Sequence, residues 1–135
     1  MMEDIAAAAE KAVLQLVHKD HWGKKVIDVK TAQIRKFLTA VNSLTNKIAV
    51  YRIQHGQVEV LPEHLAAEVK YLKVKIAYQV GRNEGGWSNP VRKFVDASGL
   101  LARIDGIGTS IEKYEAFSRY VEALIAYHKY YGGED

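Results

Sequence analysis

The strongest constraint on this chain is a stripe. Leu65, Val69, Leu72, Ile76 and Val80 are spaced by four, three, four and four residues, the interval that returns side chains to one face of an α-helix. Ile34, Phe37, Leu38, Val41, Leu44 and Ile48 repeat it upstream, and Tyr114, Phe117, Val121, Leu124 and Ile125 near the end. Helices with one apolar face each can bury those faces only against one another. The expected fold is therefore all-α, a compact bundle of about five helices.

A chain of 135 residues is expected to form one domain, 1–135, and to bury about two-thirds of its unfolded surface, enough for a single core. Apolar residues make up 48% of it, which argues against disorder. The absence of cysteine excludes a disulfide framework and thiolate metal sites. The opening "MMEDIAAAAEKAVLQLV" is acidic and broken by Glu10-Lys11, so it reads as neither a signal peptide nor a membrane span. The expected compartment is the cytoplasm. A net charge of +3 leans toward anionic partners, although the placement of the charges decides more than their sum.

Helix punctuation can be placed along the chain. The first helix is expected from about Asp4 to His18, before "DHWGKKVIDVK" breaks the pattern. Thr31 suits the N-cap of the second. "YRIQHGQVEVL" alternates enough to hint at a strand, but with nothing obvious to pair with it reads as loop. Pro62 and Pro90 occupy first-turn positions of the third and fourth helices, and Gly81 suits a left-handed C-cap. The fourth helix carries Val91, Phe94, Val95 and Leu101 and fades at "DGIG". Thr109 with Glu112 has the spacing of a capping box for the last helix, which runs to Tyr131.

Catalytic and metal chemistry find little support. "GRNEGGWS" has two glycines five apart, as a P-loop requires, but Trp87 stands where lysine is needed and a helix precedes it. His18-x-x-His21, with Asp20 beside it, lies at a frayed helix end and has no third ligand at helical spacing. His128 projects into the apolar face of the last helix and is expected to be a hydrogen-bonded core residue. Ser98, Ser110 and Ser118 have no base beside them that the sequence can place. No catalytic residues, no metal site and no cofactor are expected. "IDGIGTSIEKY" resembles a helix-hairpin-helix motif around Gly106 and Gly108, whose turn amides hold a DNA phosphate. Glu112, however, would bring the wrong charge to that phosphate, so a plain tight turn is the better reading. A free-standing DNA-binding module built on this turn is the alternative function.

The cations carry more information. Arg35, Thr39, Asn42 and Asn46 share a polar stripe without an acid, and about 100° of rotation per residue brings Tyr71, Lys75, Tyr78 and Arg82 onto a second such stripe. The last helix instead mixes Glu115, Arg119, Glu122 and Lys129 on its polar face, as a self-paired surface does. Acid-free stripes of cations with amide, hydroxyl or aromatic neighbours are what binding to a nucleic-acid backbone needs. They are also what a solvated helix end with inward-packed tyrosines would show. Pattern alone leaves both readings open.

Three blocks bear on that choice: "TAQIRKFL" from Thr31, "YLKVKIAYQVGR" ending at Arg82, and "FSRYVEALIAYHKYYGG" from Phe117 to Gly133. In order and spacing they resemble the small subunit of type III-A CRISPR–Cas effector (Csm) complexes. The resemblance implies a non-catalytic, all-helical subunit in antiviral defence. Such subunits stack in several copies along the ribonucleoprotein filament, beside the other effector subunits. They contact the sugar-phosphate backbone of the guide–target RNA duplex, mainly the target strand, and no membrane is involved. Arg35, Lys36, Lys75, Arg82 and Lys129 then become candidate RNA contacts, with Asn42 on the same polar stripe. The opening 30 residues match no motif, and Tyr78 could equally belong to the core.

Overall fold

The computed structural model describes residues 3–83 and 86–135. Among them are six α-helices: α1 (Ile5–Leu14), α2 (Arg35–His55), α3 (Glu63–Gly81), α4 (Pro90–Ser98), α5 (Leu100–Asp105) and α6 (Ile111–Tyr130). One small antiparallel hairpin joins β1 (His18–Lys19) to β2 (Lys25–Val26). The fold is all-α, as the periodicity implies.

The apolar stripes meet in one core. Phe37, Val41, Leu44 and Ile48 of α2, Leu65, Val69, Leu72 and Ile76 of α3, and Tyr114, Phe117, Val121 and Leu124 of α6 are all buried. α6 packs along α1 and also touches α2, while α2 packs on α3 and α4 bridges α1 and α3. Two tyrosines carry polar atoms into this interior and satisfy them there. The Tyr114 hydroxyl donates to Val41 O at 2.9 Å beside Thr45 Oγ1, and that of Tyr120 donates to Ser98 O at 2.7 Å. Unmade, each bond would leave a buried polar group at a cost of about 1–3 kcal/mol.

The "AYHKYYGG" ending has a physical explanation. Gly132 takes φ +98°, and its N–H bonds Lys129 O while that of Gly133 bonds His128 O. This is the paired bonding of a Schellman cap, which needs a left-handed residue after the helix. The turn lays Gly133 on the buried His128 ring, where an added Cβ would sit 2.3 Å from the imidazole. His128 is the hydrogen-bonded core residue expected, its Nε2 meeting Val29 O at 2.7 Å. The chain then reaches Thr31 and Ala32, whose N–H groups bond Glu134 O and Asp135 O.

Several boundaries differ from expectation, each for a local reason. α1 ends at Leu14 because His18 and Lys19 commit their backbone to pairing with Val26 and Lys25. Thr31 opens a 3-10 turn instead of capping α2, with Gln33 Oε1 accepting from Lys30 N. α2 continues through "YRIQH" to His55, and Val60 finds a bridge partner in Ser110. Pro62 is the N-cap of α3, Gly81 stays helical, and Arg82 closes that helix in the right-handed region. In α3, Gln79 is buried while Val80 is half-buried. The fourth helix splits at Gly99, φ +63°, and leaves Leu101 exposed. Ser110, not Thr109, caps α6 by accepting from Lys113 N. Part of "GRNEGGWS", Glu84 and Gly85, lies outside the described residues.

Candidate nucleic-acid interface

Because α2 and α3 are consecutive and pack antiparallel, the start of α2 lies against the end of α3. Lys36 Nζ is thereby brought 5.4 Å from the centroid of the Tyr78 ring, and Arg82 Cζ lies 5.9 Å from that same centroid. One turn back, Lys75 Nζ is 5.6 Å from the Tyr71 ring. Both rings are more than half exposed. Tyr78 is therefore not a core residue; it is an aromatic surface shared by two cations from two helices. Each such contact contributes about 0.5–1 kcal/mol at an exposed site, enough to orient a long side chain without removing its charge from solvent.

Between the helices runs a groove of ≈ 510 Å³ with Leu44 and Leu72 at its floor and Lys36, Thr39, Ser43, Tyr71 and Lys75 among its walls. It continues past Asn42, Asn46, Gln54 and His64. The Lys47–Glu68 ion pair, 2.6 Å, crosses it between the two parts. Glu68, three residues before Tyr71, carries the α3 stripe one turn further and brings a carboxylate into it; the pairing of helices sets Lys47 against that carboxylate. Among the described residues Lys36, Lys75 and Arg82 enter no ion pair. One half of the groove is cationic and aromatic, the other neutral and polar.

The remaining candidates fall around this groove. Arg35 is exposed at the first position of α2. Asn42 is exposed and lines the polar half. Lys129 sits elsewhere, at the end of α6, with its ammonium on the Asp135 carboxylate. That bond holds the Asp135 carboxyl below its ordinary range, with a smaller contribution from Arg35. Missed by sequence reasoning were the reach of Lys36 from α2 to Tyr78, and Ser43 as a groove wall. The Lys36–Tyr78 contact crosses between helices, so no spacing within one helix signals it.

The competing sites look different. In the α5–α6 turn, Ile111 N already donates to Glu59 O and Ser110 N to Ile107 O, while Leu61 N bonds Thr109 O. The segment before α3 thus occupies one amide of this turn, Ile111 N, the turn itself occupies Ser110 N, and exposed Glu112 follows them. Ser98 donates to Phe94 O, Ser110 caps α6, and Ser118 meets Thr45. Among the described residues no three His, Asp or Glu side chains gather as metal ligands, and no helix is long and apolar enough to cross a membrane.

Fold and groove together define an all-α protein whose basic surface is built into the pairing of two helices. The profile of the family described as Csm2 Type III-A matches residues 10–134. The "CRISPR system Cms protein Csm2" of Streptococcus thermophilus is 32% identical over 98% of this chain and 95% of its own length. The protein of that name from Mycobacterium tuberculosis (strain CDC 1551 / Oshkosh) is 34% identical over 83% of this chain and 82% of its own. The chain belongs to the Csm2 family, the small subunit of type III-A Csm complexes. The match reaches well upstream of Thr31, so α1 and the hairpin belong to the shared region.

Proposed function

We propose that this chain is a non-catalytic, RNA-binding structural subunit of a type III-A effector in the cytoplasm. In this reading several copies stack along the filament, and the α2–α3 groove follows the sugar-phosphate backbone of the guide–target duplex. One observation carries it: Lys36, Lys75 and Arg82 converge from two helices onto exposed tyrosines with no described carboxylate paired to any of them. Lys36, Lys75 and Arg82 neutralise phosphates, and Arg35 extends the rail at the start of α2. Asn42 hydrogen-bonds sugar or phosphate. Lys129 contributes only when its ammonium leaves Asp135.

The test is salt dependence in the assembled complex with a matched target RNA. Removing one phosphate-binding cation, by Lys75→Ala or Arg82→Ala, should flatten the slope of log affinity against log salt by about 0.7–0.9. It should do so equally for targets of any sequence, because phosphates carry no base information. Glu122→Ala on α6 serves as the control. If Lys75→Ala and Arg82→Ala leave the slope where that control leaves it, the groove is not the RNA site.

A further inference from the structure

Outside the groove, the hairpin holds a second feature that the groove does not use. Trp22 is 83% exposed at its tip, where a large aromatic ring facing water gains nothing from folding. The turn is built to hold it there. Gly23 N bonds Asp20 O, Gly23 takes φ +80°, and Asp20 Oδ1 accepts from both Trp22 N and Lys24 N. This is a three-residue hairpin loop with a left-handed glycine, stiffened by an aspartate bonding its own turn. The base is fixed as well: Ile27 and Val29 are in the core, and His18 Nε2 meets Asp28 Oδ1 at 2.8 Å. The His21 ring lies 4.8 Å from that of Trp22, tilted by 44°.

The same hairpin carries Lys19, Lys24 and Lys25, all exposed and none in an ion pair among the described residues. The hairpin's own carboxylates are occupied, Asp20 by turn amides and Asp28 by His18. In the cleft behind, Lys93 and Asp96 of α4 come with opposite charges. An exposed indole on a fixed turn that also carries three lysines is chemistry for a flat anionic ligand. A protein partner is disfavoured because lysine is depleted at the centres of protein interfaces, where an anchoring tryptophan would sit.

We propose that the 18–26 hairpin is a second nucleic-acid site, which stacks one unpaired base of a single strand on Trp22 while Lys19, Lys24 and Lys25 hold the flanking phosphates. It shares with the function above the assumption that nucleic acid is the ligand, but uses none of the same residues. Stacking is tolerant of base identity, so the site selects unpaired bases rather than a sequence. Single-stranded RNA and DNA both offer them.

The test is fluorescence anisotropy of the full chain with labelled oligouridylate, oligothymidylate and a blunt RNA duplex. Trp22→Ala should weaken both single strands by about fivefold to a hundredfold and leave the duplex unchanged, with Trp22→Phe recovering most of the loss. Loss with only one of the two single strands identifies the sugar. Lys75→Ala with Arg82→Ala should do the reverse, weakening the duplex alone. If only the groove variant has an effect, the hairpin proposal fails and the groove stands; if only Trp22→Ala does, the groove fails. No measurable binding of either single strand by the wild-type chain also overturns the hairpin site. So does a Trp22→Ala chain that binds both strands normally but no longer co-purifies with other effector subunits, which would make Trp22 a protein anchor.

Discussion

Along the α1–α6 seam, Ala9, Ala12 and Val13 are buried at 4% exposure or less. Along the α2–α3 groove, Thr39, Ser43 and Ala67 stay exposed although they too are small residues between two packed helices. The polar groups differ in the same sense. At the seam's ends Tyr131 donates to Glu10 at 2.6 Å, and Arg103 forks onto Glu3 at 2.8 and 2.9 Å while lying 3.6 Å from the Tyr120 ring. In the groove three cations lie over tyrosines and only Lys47 has a carboxylate. Small residues close a seam when flanking groups satisfy one another. They line an open groove when flanking groups are left for something else.

The largest effect should come from filling each of the two helix pairings. Ala9→Leu forces a larger side chain into a closed seam and should cost about 1–3 kcal/mol of stability, read from denaturant unfolding followed by circular dichroism. Ala67→Leu adds the same atoms to the open groove and should stay within about 0.5 kcal/mol, while obstructing RNA. Equal losses of stability would show the groove to be as closed as the seam.

That contrast was only half legible in the sequence. The buried faces of α2, α3 and α6 follow from spacing, because a stripe that repeats over about three to four turns leaves few alternatives. The last turns of α2 escaped notice because Ile53, 83% exposed, stands outside any stripe. The hairpin escaped because strands of two residues cannot show alternation. Within α3 the Tyr71–Lys75 and Tyr78–Arg82 neighbours could be read from their four-residue spacing. The Lys36–Tyr78 contact could not, since it exists only once α2 and α3 are paired. The partner of Lys129 was hidden for the same reason: Asp135 returns only through the left-handed turn at Gly132.

A smaller effect should separate that cross-helix contact from mere proximity. In a double-mutant cycle, Lys36→Ala and Tyr78→Ala should couple by about 0.5–1 kcal/mol in stability. Lys36 paired with Tyr71→Ala should not couple. Additive losses for Lys36 and Tyr78 would mean that the ring does not hold the lysine, and that the groove's cations are no better ordered than those of any solvated helix.

The smallest effect lies at high pH and reads the closed regions alone. The Glu10 carboxylate, by accepting its hydrogen bond, pushes the Tyr131 hydroxyl up to about 12. Burial pushes Tyr114 up to about 12 as well, against a weaker opposing pull from Thr45. Unfolded tyrosine ionises near about 10. Between about pH 10 and 12 the unfolded chain has given up these protons and the folded chain still holds them, so stability falls as pH rises. The contribution is whole below about 10 and gone above about 12. Phenolate absorbance should therefore show Tyr114 and Tyr131 ionising late, beside Tyr120, whose hydroxyl burial also pushes up, and the unfolding midpoint should drop over that interval. Tyr131→Phe should remove one late ionisation and shallow the drop, leaving the Tyr114 step in place. If Tyr131→Phe titrates like the wild type, the Tyr131–Glu10 bond does not close the seam, and the contrast with the groove rests on packing alone.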